Sequence, residues 1–321
     1  MNLSELLENL TNPALLYFLL GIVAVQVKSD LKIPESSSQF IATYLLLSIG
    51  FKGGQELSHS ALDMEIFWSL MLGMTLATVV PLAVFLILRR KLDGPNAGAV
   101  AAAYGSVSAV TFVTAVSFLE MEQVAVGGHM IAVMALMEAP AIIVGVLLVK
   151  QFGKQAKEEG PKQSIGSMIW HSFTNGSVLL LIASLVIGFL ASESQAEGIR
   201  PFTTDIFKGF LAVFLLDMGL TSGRHLSAMV RWGAFPALFA TLMPFVNGLA
   251  ALYLSQFITD HPGNQLLFAI LGASASYIAV PAAMKTAVPQ ANAGLYLPMA
   301  LGITFPINVM IGIPFYYALV V

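Results

Sequence analysis

Two short polar stretches interrupt otherwise apolar sequence. Gly105-Ser106-Val107-Ser108-Ala109-Val110-Thr111 lies within an apolar run over 97–119, and Gly272-Ala273-Ser274-Ala275-Ser276-Tyr277-Ile278-Ala279-Val280-Pro281 within one over 266–286. In hydrocarbon each unpaired backbone polar group is costly, so a helix rich in Gly, Ser and Pro survives there only when buried in protein or lining a cavity. Where such a helix unwinds, its halves present free N–H groups and partial positive charge at N-termini, and free carbonyls at C-termini. The first suits an anion and the second a cation. Ser106, Ser108 and Thr111 from one stretch, with Ser274, Ser276 and Tyr277 from the other, would add hydroxyls able to donate and to accept. A small oxyanion needs no formal positive charge in such a site. Ser and Gly also serve as ordinary packing residues where membrane helices cross. The occurrence of two interruptions at matching places favours a transporter's binding site.

Two acids fall inside apolar runs. Glu138 stands two residues before Pro140, and a carboxylate at mid-membrane costs ~2.5–3.5 kcal/mol, so it should face the protein interior. It has three readings: a sodium ligand, a proton carrier, or a hydrogen-bond partner for backbone freed by Pro140. Asp217 precedes Gly219 and Gly223 and is expected to form an ion pair with Arg224 or Lys208. Lys52 and Glu56, at i and i+4, are expected to pair along one helix. The five histidines are scattered without H-E-x-x-H spacing, and Gly53-Gly54 and Gly127-Gly128 lack the Lys-Ser/Thr of a phosphate loop. Without an ATP-binding motif, coupling to an ion gradient is the default.

The elements that would position these groups are membrane helices. Hydrophobic residues make up 57% and charged residues 10%, where a soluble domain carries roughly 25% charged; mean hydropathy is +0.82. Apolar runs occur at 13–27, 37–55, 66–88, 97–119, 125–149, 172–191, 203–222, 233–255, 266–286 and 295–320. They predict an all-α integral membrane protein of ten transmembrane helices, with the fourth and ninth broken. With both termini outside, 12 of the 15 Lys and Arg residues fall in inner loops, as the positive-inside rule requires. The polar linker over 150–170 is then cytoplasmic, and the protein is placed in the plasma (inner) membrane. Residues before Asn12 lack the basic region of a cleavable signal, so the first run is expected to remain in the protein. Trp68, Trp170 and Trp232 fall near run ends, as an interfacial belt would. No basic run with interleaved aromatics points to nucleic acid. The absence of cysteine excludes disulfides, thiolate metal sites and a cysteine nucleophile.

The two halves resemble each other. Leu46-Leu47-Ser48-Ile49-Gly50 aligns with Leu215-Leu216-Asp217-Met218-Gly219 at an offset of 169, and Ser106-Val107-Ser108 with Ser274-Ala275-Ser276 at 168. Pro140 aligns with Pro306 at 166. Residues 1–149 and 171–321 therefore read as two five-helix repeats joined by the linker 150–170. An odd number of spans per repeat requires the second copy to be inverted, which puts the site at the repeat interface near the midplane.

The order of Ile49-Gly50-Phe51-Lys52-Gly53-Gly54, the Gly105–Thr111 stretch, Glu138-Ala139-Pro140-Ala141, the Ala273–Pro281 stretch and Ile311-Gly312-Ile313-Pro314 resembles the sodium-dependent bicarbonate transporters of the SbtA family. The resemblance covers nearly the whole chain apart from the linker. It implies a core and a gate domain, a homotrimer, and bicarbonate and sodium bound where the fourth and ninth helices cross. Against that family's pattern, Val110 and Ala279 stand where serines are expected, Tyr277 replaces an acid, Val280 a glycine and Glu138 an aspartate. Asp217 stands where an apolar residue is expected. Loss of an acid beside a sodium site would be offset if Glu138 or Asp217, with Ser108, held the coupling ion, or if that ion were a proton. The linker is shorter than the loop near which a small trimeric PII-like regulator docks in cyanobacterial relatives, so that partner stays open.

These features predict sodium-coupled symport of bicarbonate or a similar small anion by alternating access, with no cofactor beyond the sodium ion. A permease for an organic anion, sodium- or proton-coupled, is the alternative within transport. A sensor that binds an anion without moving it is another. An intramembrane enzyme would need a spaced catalytic pair, and none is evident.

Overall fold

The computed structural model describes residues 13–59, 63–152, 176–229 and 232–321, together with 166, 170 and 174. Helices and turns make up the described residues, with no strand among them. The helices are α1 (Pro13–Gln26), α2 (Glu35–His59), α3 (Met64–Leu88), α4 (Gly94–Gly105), α5 (Ala109–Met121), α6 (His129–Phe152) and α7 (Gly176–Leu190). They continue as α8 (Glu193–Arg200), α9 (Phe207–Met229), α10 (Ala234–Ser255), α11 (Pro262–Ala273), α12 (Ala279–Ala287) and α13 (Ala293–Val320). Six helical stretches among the described residues are long and apolar enough to cross a membrane: α3, α4 through α5, α6, α8 through α9, α10 and α13. Two shorter apolar helices are α1 and α7. Most of the linker, expected as a polar break, lies outside the described residues.

Local sequence explains where the helices start and stop. Asp63 caps α3, its carboxylate accepting from the Ile66 N–H at 3.1 Å, and Asp93 caps α4 through the Asn96 N–H at 2.8 Å. Ser192 and Gln195 form a capping box on α8, a short exposed helix over residues expected to be loop. Pro298, Pro306 and Pro314 each lack an N–H, and α13 accommodates them with π-type windings over Pro298–Thr304 and Asn308–Gly312.

The helices pack in two groups. In the first, α1 lies against α9 and α2 against α7, with α2 also touching α9. Glycines set both main crossings: an ideal Cβ on Gly21 would fall 2.7 Å from the Leu220 nitrogen, and one on Gly54 2.6 Å from that of Phe189. Backbones therefore touch, and no side chain larger than hydrogen fits between them. In the second group α3 packs on α4 and α6, while α10 packs on α11 and α13; α13 also packs on α9, bridging the two groups. Pro81, inside α3, seats against the bare Cα of Gly105 at the end of α4.

Two expected ion pairs are replaced. Lys52 does not use Glu56; its Nζ meets Glu120 Oε1 at 2.5 Å and lies 5.1 Å from the Phe207 ring centre. Glu120 sits at the C-terminal end of α5, where the negative helix terminus makes a cation the favourable neighbour. The hydrogen bond to Asp217 comes from the Ser38 hydroxyl on α2, not from Lys208 or Arg224. A hydroxyl can satisfy a carboxylate in the helix crossing without burying a second charge.

Candidate functional site

The two polar interruptions are helix breaks, and they are bonded to each other. α4 ends with the Ser106 N–H on the Ala102 carbonyl at 2.9 Å, and α11 with the Ser274 N–H on that of Ile270 at 2.9 Å. Both Ser106 and Ser274 then turn extended, with ψ of 178° and 165°. Ser108 caps the next helix, its Oγ accepting from the Thr111 N–H at 3.2 Å. Ser276, three residues ahead of Ala279 at the start of α12, accepts from the Val280 N–H within that helix at 3.4 Å. Between the breaks, the Ser108 N–H donates to Ser274 Oγ at 3.1 Å, and the Ser276 N–H donates to the Ala103 carbonyl at 2.8 Å. The hydroxyls of three buried serines, Ser108, Ser274 and Ser276, thus replace backbone bonds that the breaks forfeit.

Beside this crossing is a cavity of about 70 Å³, where roughly 10–15 Å³ suffices for one water. Ser108, Ser276, Tyr277 and Glu138 line it. So do Ala109 and Ala279, the first residues of α5 and α12, where helix N-termini carry partial positive charge. The Tyr277 ring packs edge-on against Phe305, with ring centres 5.8 Å apart, and its hydroxyl is 3.9 Å from Met218 Sδ.

Glu138 projects from the middle of α6 into this cavity. Among the described residues it has no hydrogen-bond or ion-pair partner, so of its three readings the bond to backbone freed by Pro140 is not seen. The remaining candidates lie outside the cavity lining. Ser106 is fully buried and its hydroxyl has no partner among the described residues. Thr111 and Ser274 serve the caps and the crossing. Asp217 sits at the α2–α9 contact with Ser38. The described acids and histidines form no cluster of three or more able to hold a metal ion.

Sequence reasoning singled out four of the nineteen residues that line the cavity. Ala42, Leu45 and Leu46 of α2, Val178 and Leu181 of α7, and Phe214 of α9 form the wall opposite the hydroxyls. Nothing distinguishes these residues from other apolar positions until the helices are packed. The hydroxyls and the carboxylate come from the second packing group and the aliphatic wall from the first, Ser177 at the start of α7 being the polar exception.

An uncharged set of hydroxyls at two helix starts can hold a small anion, and an unpartnered carboxylate in the same cavity can hold a cation or a proton. No curated protein matches this chain. The family model described as the Na+-dependent bicarbonate transporter superfamily matches residues 13–321, nearly the whole length. The chain, with its apolar helices and its pair of broken helices, belongs to that superfamily of membrane transporters.

Proposed function

We propose that this protein is a secondary active symporter that carries bicarbonate into the cell with sodium, by alternating access. The observation that carries this reading is the cavity beside two mutually bonded helix breaks, which brings anion-binding hydroxyls and the unpartnered Glu138 together. In this reading Ser108, Ser276 and Tyr277 hold the anion. Thr111 and Ser274 keep the breaks in shape, and Ser106 is buried at the end of α4. Glu138 and the Ser108 hydroxyl hold the coupling ion, since a hard cation prefers oxygen ligands. Asp217 takes no part, because its carboxylate is engaged by Ser38 outside the cavity.

The proposed arrangement is ten spans in two inverted repeats, 1–149 and 171–321, with both termini outside and the linker 150–170 in the cytoplasm. Matched crossings support it. The Gly21 contact with the Gly219 region and the Gly188 contact with the Gly54 region exchange to within one helical turn, Gly21 falling on Gly188 at an offset of 167 and Gly54 on Gly219 at 165. The pairs α3–α4 and α10–α11 correspond in the same way. The two packing groups fit a gate and a core that move against each other. Assembly as a homotrimer, and docking of a PII-like regulator, rest on the family resemblance.

Uptake of labelled bicarbonate by proteoliposomes, with and without an inward sodium gradient, tests the function. Sodium-stimulated uptake that a Ser108→Ala/Ser276→Ala double variant loses is the expected result. Uptake insensitive to sodium, or unaffected in the double variant, overturns it.

A further inference from the structure

The cavity has two unlike walls, and bicarbonate matches only one of them. Bicarbonate is a flat trigonal anion with an oxygen at every corner, so each edge needs a polar partner or water. Three residues of the second packing group supply hydroxyls, from Ser108, Ser276 and Tyr277. The lining from the first group is Ala42, Leu45, Leu46, Val178, Leu181 and Phe214, none of which can donate or accept through its side chain, with Ser177 as the one hydroxyl. An oxygen pressed against that wall would lose its hydration without replacement, which is costly for a polar group. A carboxylate has the same trigonal head with carbon at the third corner. Acetate is bicarbonate with a methyl group in place of the hydroxyl.

The geometry points to short-chain aliphatic monocarboxylates, of about two to four carbons, as a second class of cargo for this site. The chain length follows from space. A cavity of about 70 Å³ has room for roughly five or six water-sized occupants. The carboxylate head takes up about half of that, and with the coupling ion at Glu138 the remainder holds about one to three carbons. The head lies on the hydroxyls and the two helix starts, and the alkyl tail lies on Leu45, Leu181 and Phe214. Each methylene moved from water onto that wall should tighten binding about fourfold until the space is full. Dicarboxylates are excluded, because their second charge would meet the aliphatic wall. This inference rests on the cavity being the anion site, as proposed above.

The test measures binding and transport separately, because protonated short-chain acids cross bilayers unaided. Thermal unfolding of the purified protein is followed in sodium salts of chloride, bicarbonate, formate, acetate, propionate, butyrate and hexanoate. The same anions compete against sodium-driven uptake of labelled bicarbonate. The expected result is a rise in midpoint from formate to propionate or butyrate, a fall by hexanoate, and competition in the same order. Val178→Thr, which places a hydroxyl on the apolar wall without changing its volume, should weaken propionate relative to bicarbonate severalfold. Leu181→Ala, which enlarges the same wall, should move the optimum to a longer chain. Bicarbonate binding and uptake with no effect of propionate at hundredfold excess would overturn this inference and leave the proposed function standing. Propionate binding without bicarbonate uptake would sustain it and overturn the bicarbonate reading. Failure of every anion to bind folded protein would overturn both.

Discussion

Glu138→Gln removes one charge from a cavity in which that carboxylate has no partner among the described residues. At about 4 Å and an effective dielectric near 20, the attraction between a carboxylate and a monovalent cation is about 4 kcal/mol before the cost of stripping water from the ion. After that cost, a charge-assisted contact retains about 1.5–3 kcal/mol, equal to roughly a 10- to 150-fold change in an equilibrium constant. Because Glu138 supports no helix contact through hydrogen bonds, the glutamine variant should fold and reach the membrane normally. Its half-saturating sodium concentration for bicarbonate uptake should rise by about one to two orders of magnitude, while Glu138→Asp, which keeps the charge, should lose less. Uptake is measured in proteoliposomes over a sodium series at fixed bicarbonate and fixed pH, then repeated across pH. A sodium dependence within about twofold of the parent would refute the assignment. Loss of pH dependence with sodium dependence kept would instead make Glu138 a proton carrier.

Three further outcomes follow from the packing. Asp217→Asn still accepts the Ser38 hydrogen bond, so sodium-dependent uptake should stay near the parent level; a large rise in the sodium requirement would place the ion at Asp217 instead. Gly54→Ala puts a Cβ 2.6 Å from the Phe189 nitrogen, and overpacking of this kind costs about 1–3 kcal/mol. Gly209→Ala meets nothing within 4 Å, so thermal midpoints should fall only for the first. Lys52→Met and Glu120→Gln remove the same 2.5 Å contact between α2 and α5, whose side chains are 26% and 32% exposed. A double-mutant cycle on unfolding should therefore give a coupling of about 1 kcal/mol, and strictly additive losses would mean that the pair contributes nothing.

The helices are legible in the sequence because apolar run length speaks directly to membrane span, and six stretches among the described residues are long and apolar enough to cross, with two shorter apolar helices beside them. The breaks are legible because Gly, Ser and Pro gathered inside such a run weaken a helix that hydrocarbon would otherwise hold intact. The bonds between the breaks are not, since nothing in Ser108 or Ser274 names its partner 166 positions away. Lys52 shows the limit of local spacing: Glu56 lies one helical turn away, yet Glu120 at the end of another helix wins. The α8 helix escapes a hydropathy reading because its eight residues carry no long apolar run and declare themselves only through the Ser192–Gln195 cap. The aliphatic wall is invisible for a different reason. Leu45 and Phe214 acquire meaning only when three separate helices turn toward one space.

The glycine crossings of α1 on α9 and α2 on α7 bear on how this chain can change over generations. Backbone contact leaves Gly21, Gly54, Gly188 and Gly219 almost no permitted substitutions, so relatives that keep the frame must keep these positions small whatever they transport. Leu45, Val178, Leu181 and Phe214, on three of the same helices, are buried but border the cavity, so their size and polarity can change within the space it leaves. Heredity of shape and choice of cargo are therefore carried by different residues. A lineage could exchange one anion for another by altering four side chains while every crossing stayed as it was.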